Sequence, residues 1–452
     1  MMRFLLHELA AKVRTGNGDQ KTDRAWIELD FESLRHNVWV LRNVLPQNCR
    51  LMPAVKANAY GHGAPEICRE LNRLGVHDFC VATVAEGVEL RKQRIRGNIL
   101  VLGYTPPGQF CLLRRHRLMQ SVFDYEYAEA LDAYGKKITV HIRVDTGMKH
   151  LGISSDDTDS ILRMFHLRNL EIAGIYTHFS MLNADNHAHN ACTQAQMERF
   201  ERVIATIREC GYPLPKIHMQ GSYGAFHRTE LSCDYARPGS ALYGVFQHNN
   251  TATACETQSP PRDFAGETQS PPRDFAGETQ SPPLSLRPVL SVKAKVAAVK
   301  TIREGEAVGY GNAFVADRRM RLAVLSIGYA DGIPRSLSCG AGHVLINGSA
   351  APVVGYICMD QMTVDVTGLE NVKQGDVAVI VGRDGDAEIT ATDVASLRAR
   401  FDPGAMAAAQ IYPTGWTGEA AEFNGLAAHL AELRRFYRVA AENGEAVLLA
   451  IT

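Results

Sequence analysis

The pattern of apolar and polar residues divides the chain into two regions of different texture. In the first region, short apolar runs typical of buried strands alternate with stretches of helical spacing. The strand-like runs are 51–55, 79–82, 99–103, 118–122, 138–144, 172–176 and 216–219, and the helical stretches between them are 64–74, 85–93, 128–134, 160–165 and 194–210. This alternation predicts a parallel sheet with helical crossovers, which about eight such units would close into a barrel.

The second region has the pattern of an antiparallel sheet. Its runs are short, rich in Val and Ile, and separated by Gly and Asp turns. They cover 290–300, 321–327, 343–346, 351–354, 362–366 and 377–381, and an Ala-rich stretch with helical spacing follows at 426–441. We therefore predict an N-terminal (β/α)8 TIM-like barrel followed by a C-terminal, mostly β domain.

A repeated segment lies between the two regions. Residues 256–266 read ETQSPPRDFAG, residues 267–277 repeat them without change, and 278–283 begin a third copy. The Pro-Pro pairs exclude a continuous helix, and the composition favours an extended linker, with a short peptide-docking role as the alternative. The predicted organisation is then an N-terminal extension (1–22), the barrel (23–249), the linker (250–287), the β domain (288–398) and an atypical tail (399–452).

Composition excludes several functions for this chain of 452 residues. With 48 Lys plus Arg against 49 Asp plus Glu, the net charge of -1 gives no basic field for nucleic acid, and no apolar run reaches the ~18 residues of a membrane span. The ten cysteines form no Cys-x-x-Cys pair, which indicates reduced thiols in the cytoplasm and no zinc site. The pair His187 and His189 lacks further ligands, so we expect no metal.

Lys56 is the first candidate for chemistry. It ends the apolar run 51–55 and precedes the glycine-rich turn 57–63. A lysine is usually a solvated surface residue, but the carboxyl end of a barrel strand is where active sites form. Partial burial there lowers the pKa of an ammonium group, and the neutral amine can condense with an aldehyde.

Two glycine- and serine-rich segments, 220–224 and 234–244, are candidates for binding phosphate. Glycines let backbone N–H groups approach an anion, and phosphate sites often follow the last strands of a barrel. An ordinary turn around Gly239 is the competing interpretation.

Seven motifs in a fixed order resemble the alanine racemase family. They are VKANAYGHG, DTGM, YTHFS, ARPGSALYG, VGYGNAF, IGYADGIPR and GYICMDQMTVDVT, and they extend from about residue 26 to about residue 381. The resemblance implies a pyridoxal-phosphate enzyme with a (β/α) barrel and a C-terminal β domain. The phrases HMQGSYGAF and CDYAR look more like the branch that acts on alanine or serine. In some members of that branch a membrane domain precedes the racemase part, and this sequence carries no such segment.

The resemblance also implies which residues act. Lys56 would hold pyridoxal phosphate and serve as the base on one face of the substrate, and Tyr310 matches the base on the other face. A phenol with a pKa of about 10 needs nearby positive charge to act at neutral pH.

The remaining matches are cofactor and substrate ligands. Arg237 would face the pyridine nitrogen with support from His178. The expected phosphate ligands are Tyr60, Ser222, Gly239 and Ser240. Met359 and Asp360 match substrate-side residues, and in the family these and the tyrosine come from the partner subunit, so we expect a homodimer with shared active sites.

The sequence departs from the family pattern in three places. His150 stands where an arginine helps to bind the substrate carboxylate, which predicts weaker binding or a narrower pH range. Arg143 stands where some members carry a carbamylated lysine. The tail after Arg398 has no recognisable counterpart of the family's closing segment, so one residue of the substrate gate cannot be assigned.

The predicted function is the interconversion of L- and D-alanine, or of serine, with D-alanine feeding peptidoglycan. Three alternatives remain open: a catalytically impaired homologue that still binds the cofactor, a barrel-type decarboxylase that also uses pyridoxal phosphate, and a non-enzymatic carrier of that cofactor. The Asp-Thr-Gly at 145–147 is also an aspartic-protease signature, but that chemistry needs a second matching carboxylate, which the sequence lacks.

Overall fold

The computed structural model describes residues 23–180, 187–229, 231–245, 285–391 and 393–394, with residues 187–190 described as backbone only. The predicted extension 1–22, most of the predicted linker and the predicted tail with its helix at 426–441 lie outside these residues. So do the side chains of His187 and His189.

Eight parallel strands form the ring of the first region. They are β2 (Arg50–Leu51), β3 (Asp78–Val81), β4 (Asn98–Val101), β5 (Met119–Val122), β6 (Ile138–Asp145), β8 (Leu170–Tyr176), β9 (Lys216–His218) and β10 (Tyr235–Ala236), with the short β7 (Ile153–Ser154) paired to β6. The ladders β3-β4-β5-β6-β8-β9 and β10-β2 are regular. Seven of these strands coincide with predicted runs, and β10 was not predicted.

Individual backbone hydrogen bonds close the ring where the ladders stop. On one side of β2, Val55 N donates to Cys80 O and Cys80 N donates to Pro53 O, at 2.8 and 2.9 Å. On the other side, Asp234 N donates to Ile217 O and Arg237 N donates to Gln220 O, both at 2.8 Å, which joins β9 to β10. The predicted barrel fold is confirmed.

Helices alternate with the strands of the ring along the chain, and side-chain caps begin several of them. Asp30 accepts hydrogen bonds from the backbone of Glu32 and Ser33, and Thr83 forms a capping box with Glu86. The helices are Phe31–Val44, Lys56–Tyr60, Ala64–Arg73, Val84–Lys92, Phe110–Arg115, Tyr125–Ala133, Thr158–Met164, His187–Glu209 and Ser222–His227. Among the residues that the structure describes, no helix is long and apolar enough to cross a membrane.

The second region is an antiparallel β domain, as predicted. The strands are β1 (Ala25–Leu29), β11 (Leu290–Ile302), β12 (Ala307–Val308), β13 (Phe314–Val315), β14 (Met320–Leu325), β15 (His343–Ile346), β16 (Ser349–Val354), β17 (Met362–Asp365), β18 (Val377–Asp384) and β19 (Ala387–Ile389). One sheet has the order β1-β11-β14-β17-β16-β15-β18-β19, and β12 and β13 form a separate hairpin.

The first strand of the chain belongs to the last sheet. β1 pairs antiparallel with β11, with Ala25 opposite Ala294 and Leu29 opposite Leu290, and Lys293 Nζ lies 2.9 Å from Glu28 Oε2 across the pair. Our sequence division placed residues 25–29 with the barrel. The pairing joins residues more than 260 positions apart, so local sequence spacing carries no signal for it.

The barrel interior is apolar at its centre and polar toward the carboxyl ends of the strands. A cluster of buried residues fills the centre: Met52, Ala54, Cys80, Leu100, Met119, Tyr176 and Tyr235. Buried polar groups lie next to it, including His141, His218 and Arg237. Because buried polar groups must be hydrogen-bonded, this layer fixes the side chains around the barrel mouth.

Candidate active site

Lys56 begins a turn of unusual backbone geometry at the carboxyl end of the second strand. The four residues after it, Ala57 to Tyr60, have φ between 52° and 56°, which is the left-handed region. This conformation costs L-residues roughly 1–2 kcal/mol each. Such strain persists where surrounding contacts hold it, and it is concentrated at functional sites.

Glu86 holds this turn, and the sequence analysis missed it. Its Oε1 accepts a hydrogen bond from Ala57 N at 2.8 Å, and its Oε2 accepts one from Ala82 N at 2.7 Å. One carboxylate thus ties the residue after Lys56 to the loop that follows β3. The only sequence signal was Glu86 at the third position of a capping box, which points to a helix start.

Arg237 is buried at the barrel mouth, with 6% of its surface exposed. One guanidinium nitrogen, Nη2, donates to Thr177 O at 2.6 Å, and the other, Nη1, lies 2.5 Å from His218 Nδ1. The guanidinium carbon lies 4.8 Å from the centre of the Tyr176 ring. These contacts fix the position and direction of a buried positive charge.

The predicted support from His178 is the weaker contact. His178 Nδ1 lies 3.4 Å from Arg237 Nη2, whereas His218 is closer and is itself bonded through Nε2 to His141 Nδ1 at 2.8 Å. Burial, reinforced by Arg237, lowers the pKa of His141 and of His178 to about 3 and holds that of His218 well below its usual value. The neutral rings can therefore accept hydrogen bonds from the arginine.

Backbone donors converge on the hydroxyl of Ser222. Gly239 N and Ala241 N donate to Ser222 Oγ at 2.9 and 3.2 Å, and Ser240 Oγ lies 3.4 Å away. A Cβ added to Gly239 would lie 2.5 Å from the hydroxyl oxygen of Tyr60. A side chain at position 239 would thus displace Tyr60, and the predicted phosphate ligands lie together as expected for an anion-binding cradle.

These residues line one cavity of about 480 Å³. It brings together eight of the predicted site residues: Lys56, Tyr60, His150, His178, Ser222, Arg237, Gly239 and Ser240. Arg143 and Tyr223 also line it. No Asp or Glu is among the described residues of its wall, so Lys56, Arg143 and Arg237 give it a positive charge.

Three predicted site residues lie elsewhere. Tyr310 is 72% exposed and Met359 is 47% exposed, and neither they nor Asp360 lines the cavity of the same chain. Tyr310 follows Gly309 in the turn Tyr310–Asn312 between β12 and β13.

Met359 and Asp360 are held by a second loop of the β domain. Tyr329 N and Ala330 N donate to Cys358 O and Met359 O, each at 2.9 Å. A Cβ on Gly328 would lie 2.3 Å from Cys358 O, so the two loops need glycine there. The motif IGYADGIPR thus presents the side chains at 359 and 360 on the surface.

Two of the three departures from the family pattern are at the cavity, and the third, the tail after Arg398, lies outside the described residues. His150 lines it but is otherwise exposed, and Arg143 lies deeper, on β6 opposite Tyr176 of β8. The neighbouring Lys149 does not line the cavity, because its ammonium group lies 3.6 Å from Asp145 Oδ2 on the surface.

The residues present fit a flat anionic group with an aldehyde. An amine, a buried guanidinium and the hydroxyl residues Tyr60, Ser222 and Ser240 line one cavity, and the hydroxyl of Tyr223 is buried without a partner in the described chain. A buried hydroxyl without a partner costs free energy, which a bound polar group would recover. The fold and the cavity define a barrel-type class of protein whose mouth presents a lysine beside groups suited to hold an anion.

Comparison with known sequences identifies the family. The model of the alanine racemase N-terminal domain matches residues 29–247, and that of the alanine racemase C-terminal domain matches residues 289–402. The chain belongs to the alanine racemase family. A domain of unknown function (DUF1877) also matches residues 357–450, which include the predicted atypical tail.

Individual relatives bear different names. An amino-acid racemase of Enterococcus faecalis is 40% identical, with 86% of this chain and 51% of that protein covered. An alanine racemase of Nostoc sp. is 34% identical (82% and 90% covered), and a serine/alanine racemase of Enterococcus gallinarum is 33% identical (84% and 51%). The chain therefore spans about half the length of the Enterococcus relatives. The solved alanine racemase of Clostridium difficile 630 matches with a TM-score of 0.71 at 27% identity, covering 83% of this chain and 90% of that one.

Proposed function

We propose that this chain is an amino-acid racemase that uses pyridoxal phosphate and interconverts the enantiomers of alanine or serine. The observation that carries the proposal is the convergence of Lys56, Arg237 and the Ser222–Gly239–Ser240 group on one cavity at the barrel mouth. The names of the relatives support racemisation as the reaction.

The chain's residues divide the binding of the cofactor among them. When bound, pyridoxal phosphate supplies a conjugated ring that stabilises negative charge on the substrate Cα. Lys56 would hold the aldehyde end, Arg237 would donate to the ring nitrogen, and Tyr60, Ser222, Gly239 and Ser240 would bind the phosphate. Because arginine keeps its protons, Arg237 leaves the ring nitrogen unprotonated, which shortens the life of the negative charge and disfavours transamination.

Racemisation needs a group that accepts a proton on one face of Cα and a group that donates a proton on the other face. Lys56 Nζ would remove or return the proton on one face, and Tyr310 Oη would do so on the other. In one chain Tyr310 lies exposed outside the cavity. We therefore propose a homodimer in which Tyr310, Met359 and Asp360 of one subunit complete the cavity of its partner.

The substrate is proposed as alanine or serine, because relatives named for each match the chain at similar identity. We propose that the enzyme acts in the cytoplasm, as the scattered cysteines predict. The D-alanine formed there would feed peptidoglycan synthesis. A decarboxylase would place an acid at the ring nitrogen. The described cavity wall presents Arg237 and no carboxylate, which favours the racemase.

Reductive trapping combined with a racemisation assay tests the proposal. The purified chain is incubated with pyridoxal phosphate and reduced with borohydride, and peptide mapping is expected to place the label on Lys56, with none on the Lys56→Arg variant. Circular dichroism follows loss of optical activity from L-alanine and L-serine. A label on another residue contradicts the assigned site, and a label on Lys56 without racemisation favours the impaired homologue.

A further inference from the structure

Arg143 is a positive charge in the cavity wall that has no ionic partner among the residues that the structure describes. It follows His141 by two residues on β6, so both side chains lie on the inner face of the barrel. Its guanidinium carbon lies 5.9 Å from the centre of the Tyr176 ring, the ring that Arg237 also contacts. Within the described residues, the Arg143 guanidinium has no hydrogen bond and no carboxylate at ion-pair distance.

The other cations near the cavity are already engaged. Arg237 is fixed by Thr177 and His218, and the ammonium group of Lys149 is directed toward Asp145. Lys56 has a role in the proposed function. Arg143 is therefore the guanidinium of the cavity wall whose charge the described chain leaves uncompensated.

Half-burying an unpaired charge costs free energy, and an anionic ligand would recover it. The fork of a guanidinium matches a carboxylate with two parallel hydrogen bonds, which an imidazole cannot form. His150, the residue that the family pattern assigns to the substrate carboxylate, is shorter and lies at the exposed rim.

We propose that Arg143 binds the carboxylate of the amino-acid substrate and replaces the residue at position 150 in that role. This assignment rests on the proposed function, because it places the substrate in the same cavity. Arg143 is then a binding residue that orients the substrate, and the two departures from the family pattern form one change: the guanidinium has moved from 150 to 143.

A cycle that combines a protein variant with a ligand variant tests this assignment. Propionate is alanine without its amino group, and propionamide has the same shape without the charge. Dissociation constants of both are measured by calorimetry on the cofactor-loaded wild type and on Arg143→Met, Arg143→Lys and His150→Ala. We expect the wild type to prefer propionate by about 10- to 100-fold, the usual effect of a charge-assisted pair.

The variants are expected to separate the contribution of Arg143 from that of His150. Arg143→Met should bring the ratio of the propionamide and propionate dissociation constants close to 1. It should also raise KM for the amino acid far more than it lowers kcat. Arg143→Lys should keep part of the preference, and it serves as the folded substitute if Arg143→Met is unstable. His150→Ala should keep most of it.

Two results overturn the assignment: an unchanged preference in both Arg143 variants, or its loss in His150→Ala. Those results leave the proposed function standing if the wild type racemises. A wild type that neither racemises nor binds propionate refutes both proposals.

Discussion

The barrel mouth and the loops of the β domain present opposite kinds of site. At the mouth, Arg237 is 6% exposed, and Thr177 and His218 hold its guanidinium in a defined position. On the β domain, Tyr310 is 72% exposed and projects from a two-glycine turn. The first is a preorganised pocket, and the second is an exposed surface that we propose a partner subunit covers.

This difference separates the proposed cofactor site from the proposed second proton-transfer group. A cofactor that stays bound needs a rigid cradle with fixed charges. A proton acceptor for the opposite face must approach from outside the cradle. The chain carries the cradle and Tyr310, the proposed second proton-transfer group, on separate regions, and the proposed dimer would bring them together.

The largest expected effect is that of Tyr310→Phe. Removing the hydroxyl should lower kcat for both enantiomers by about 10²- to 10⁴-fold, because one face loses its acid/base group. The fold should not change, since the side chain is exposed. Steady-state kinetics measure the effect, and Tyr104→Phe, exposed at 56% on the barrel, is the matched control.

Full activity in Tyr310→Phe would contradict the proposed role of the β-domain turn, because the turn would then contribute no proton transfer. A loss of equal size in Tyr104→Phe would show that the effect is not specific to the second base.

The buried histidines of the barrel mouth predict a loss of stability in acid. Their pKa values are lowered in the folded chain, so the unfolded chain binds protons that the native chain does not. The stabilisation is complete above about pH 6.5 and is lost as the pH falls toward about 3 for His141. At pH 5 we expect a loss of about 2 kcal/mol for His141 and a further loss in the same direction for His218.

Urea unfolding at pH 5 and pH 8 measures this difference. His141→Gln should lower the number of protons taken up on unfolding by about one, which reduces the slope of the unfolding free energy against pH. The substitution also removes a buried hydrogen bond. An unfolding free energy that stays constant from pH 8 to pH 5 would show that these rings are not held neutral.

Arg237→Lys tests the fixed charge of the mouth. Lysine keeps the charge but cannot contact Thr177 O and His218 Nδ1 with the same fork, so we expect kcat to fall roughly 10- to 100-fold. The control is Arg42→Lys, whose guanidinium donates to Leu74 O away from the cavity. Equal activity in the two variants would mean that charge alone suffices.

Gly239→Ala is expected to have the smallest effect. The new Cβ would displace the Tyr60 hydroxyl, so the dissociation constant of pyridoxal phosphate should rise about 10-fold. A Cβ at Gly108 meets no atom within 4 Å, which makes Gly108→Ala the control. Unchanged affinity in Gly239→Ala would remove Tyr60 from the phosphate site.

The sequence predicted most of the fold because most of its signals are local. Apolar runs predicted seven barrel strands, whereas β10 is two residues long and has no run to detect. The place of β1 in the last sheet depends on a contact with β11 that no local pattern reports. The structure shows these connections directly.

The same contrast between local sequence signals and long-range contacts applies to the candidate site. Motifs predicted Lys56, Ser222 and Arg237, which the cavity brings together. Glu86 and His218 were missed, because a capping glutamate and a buried histidine have ordinary structural roles until their contacts are known. The unpartnered state of Arg143 is likewise visible only in three dimensions.

Mixing two inactive variants tests most directly whether each site is shared between subunits. Lys56→Ala and Tyr310→Phe are each expected to be nearly inactive, and the two are unfolded, mixed in equal amounts and refolded with pyridoxal phosphate. If each site takes its lysine and tyrosine from different chains, random pairing leaves about one quarter of the sites intact and restores about a quarter of wild-type activity. Activity no greater than that of either variant alone would contradict the account.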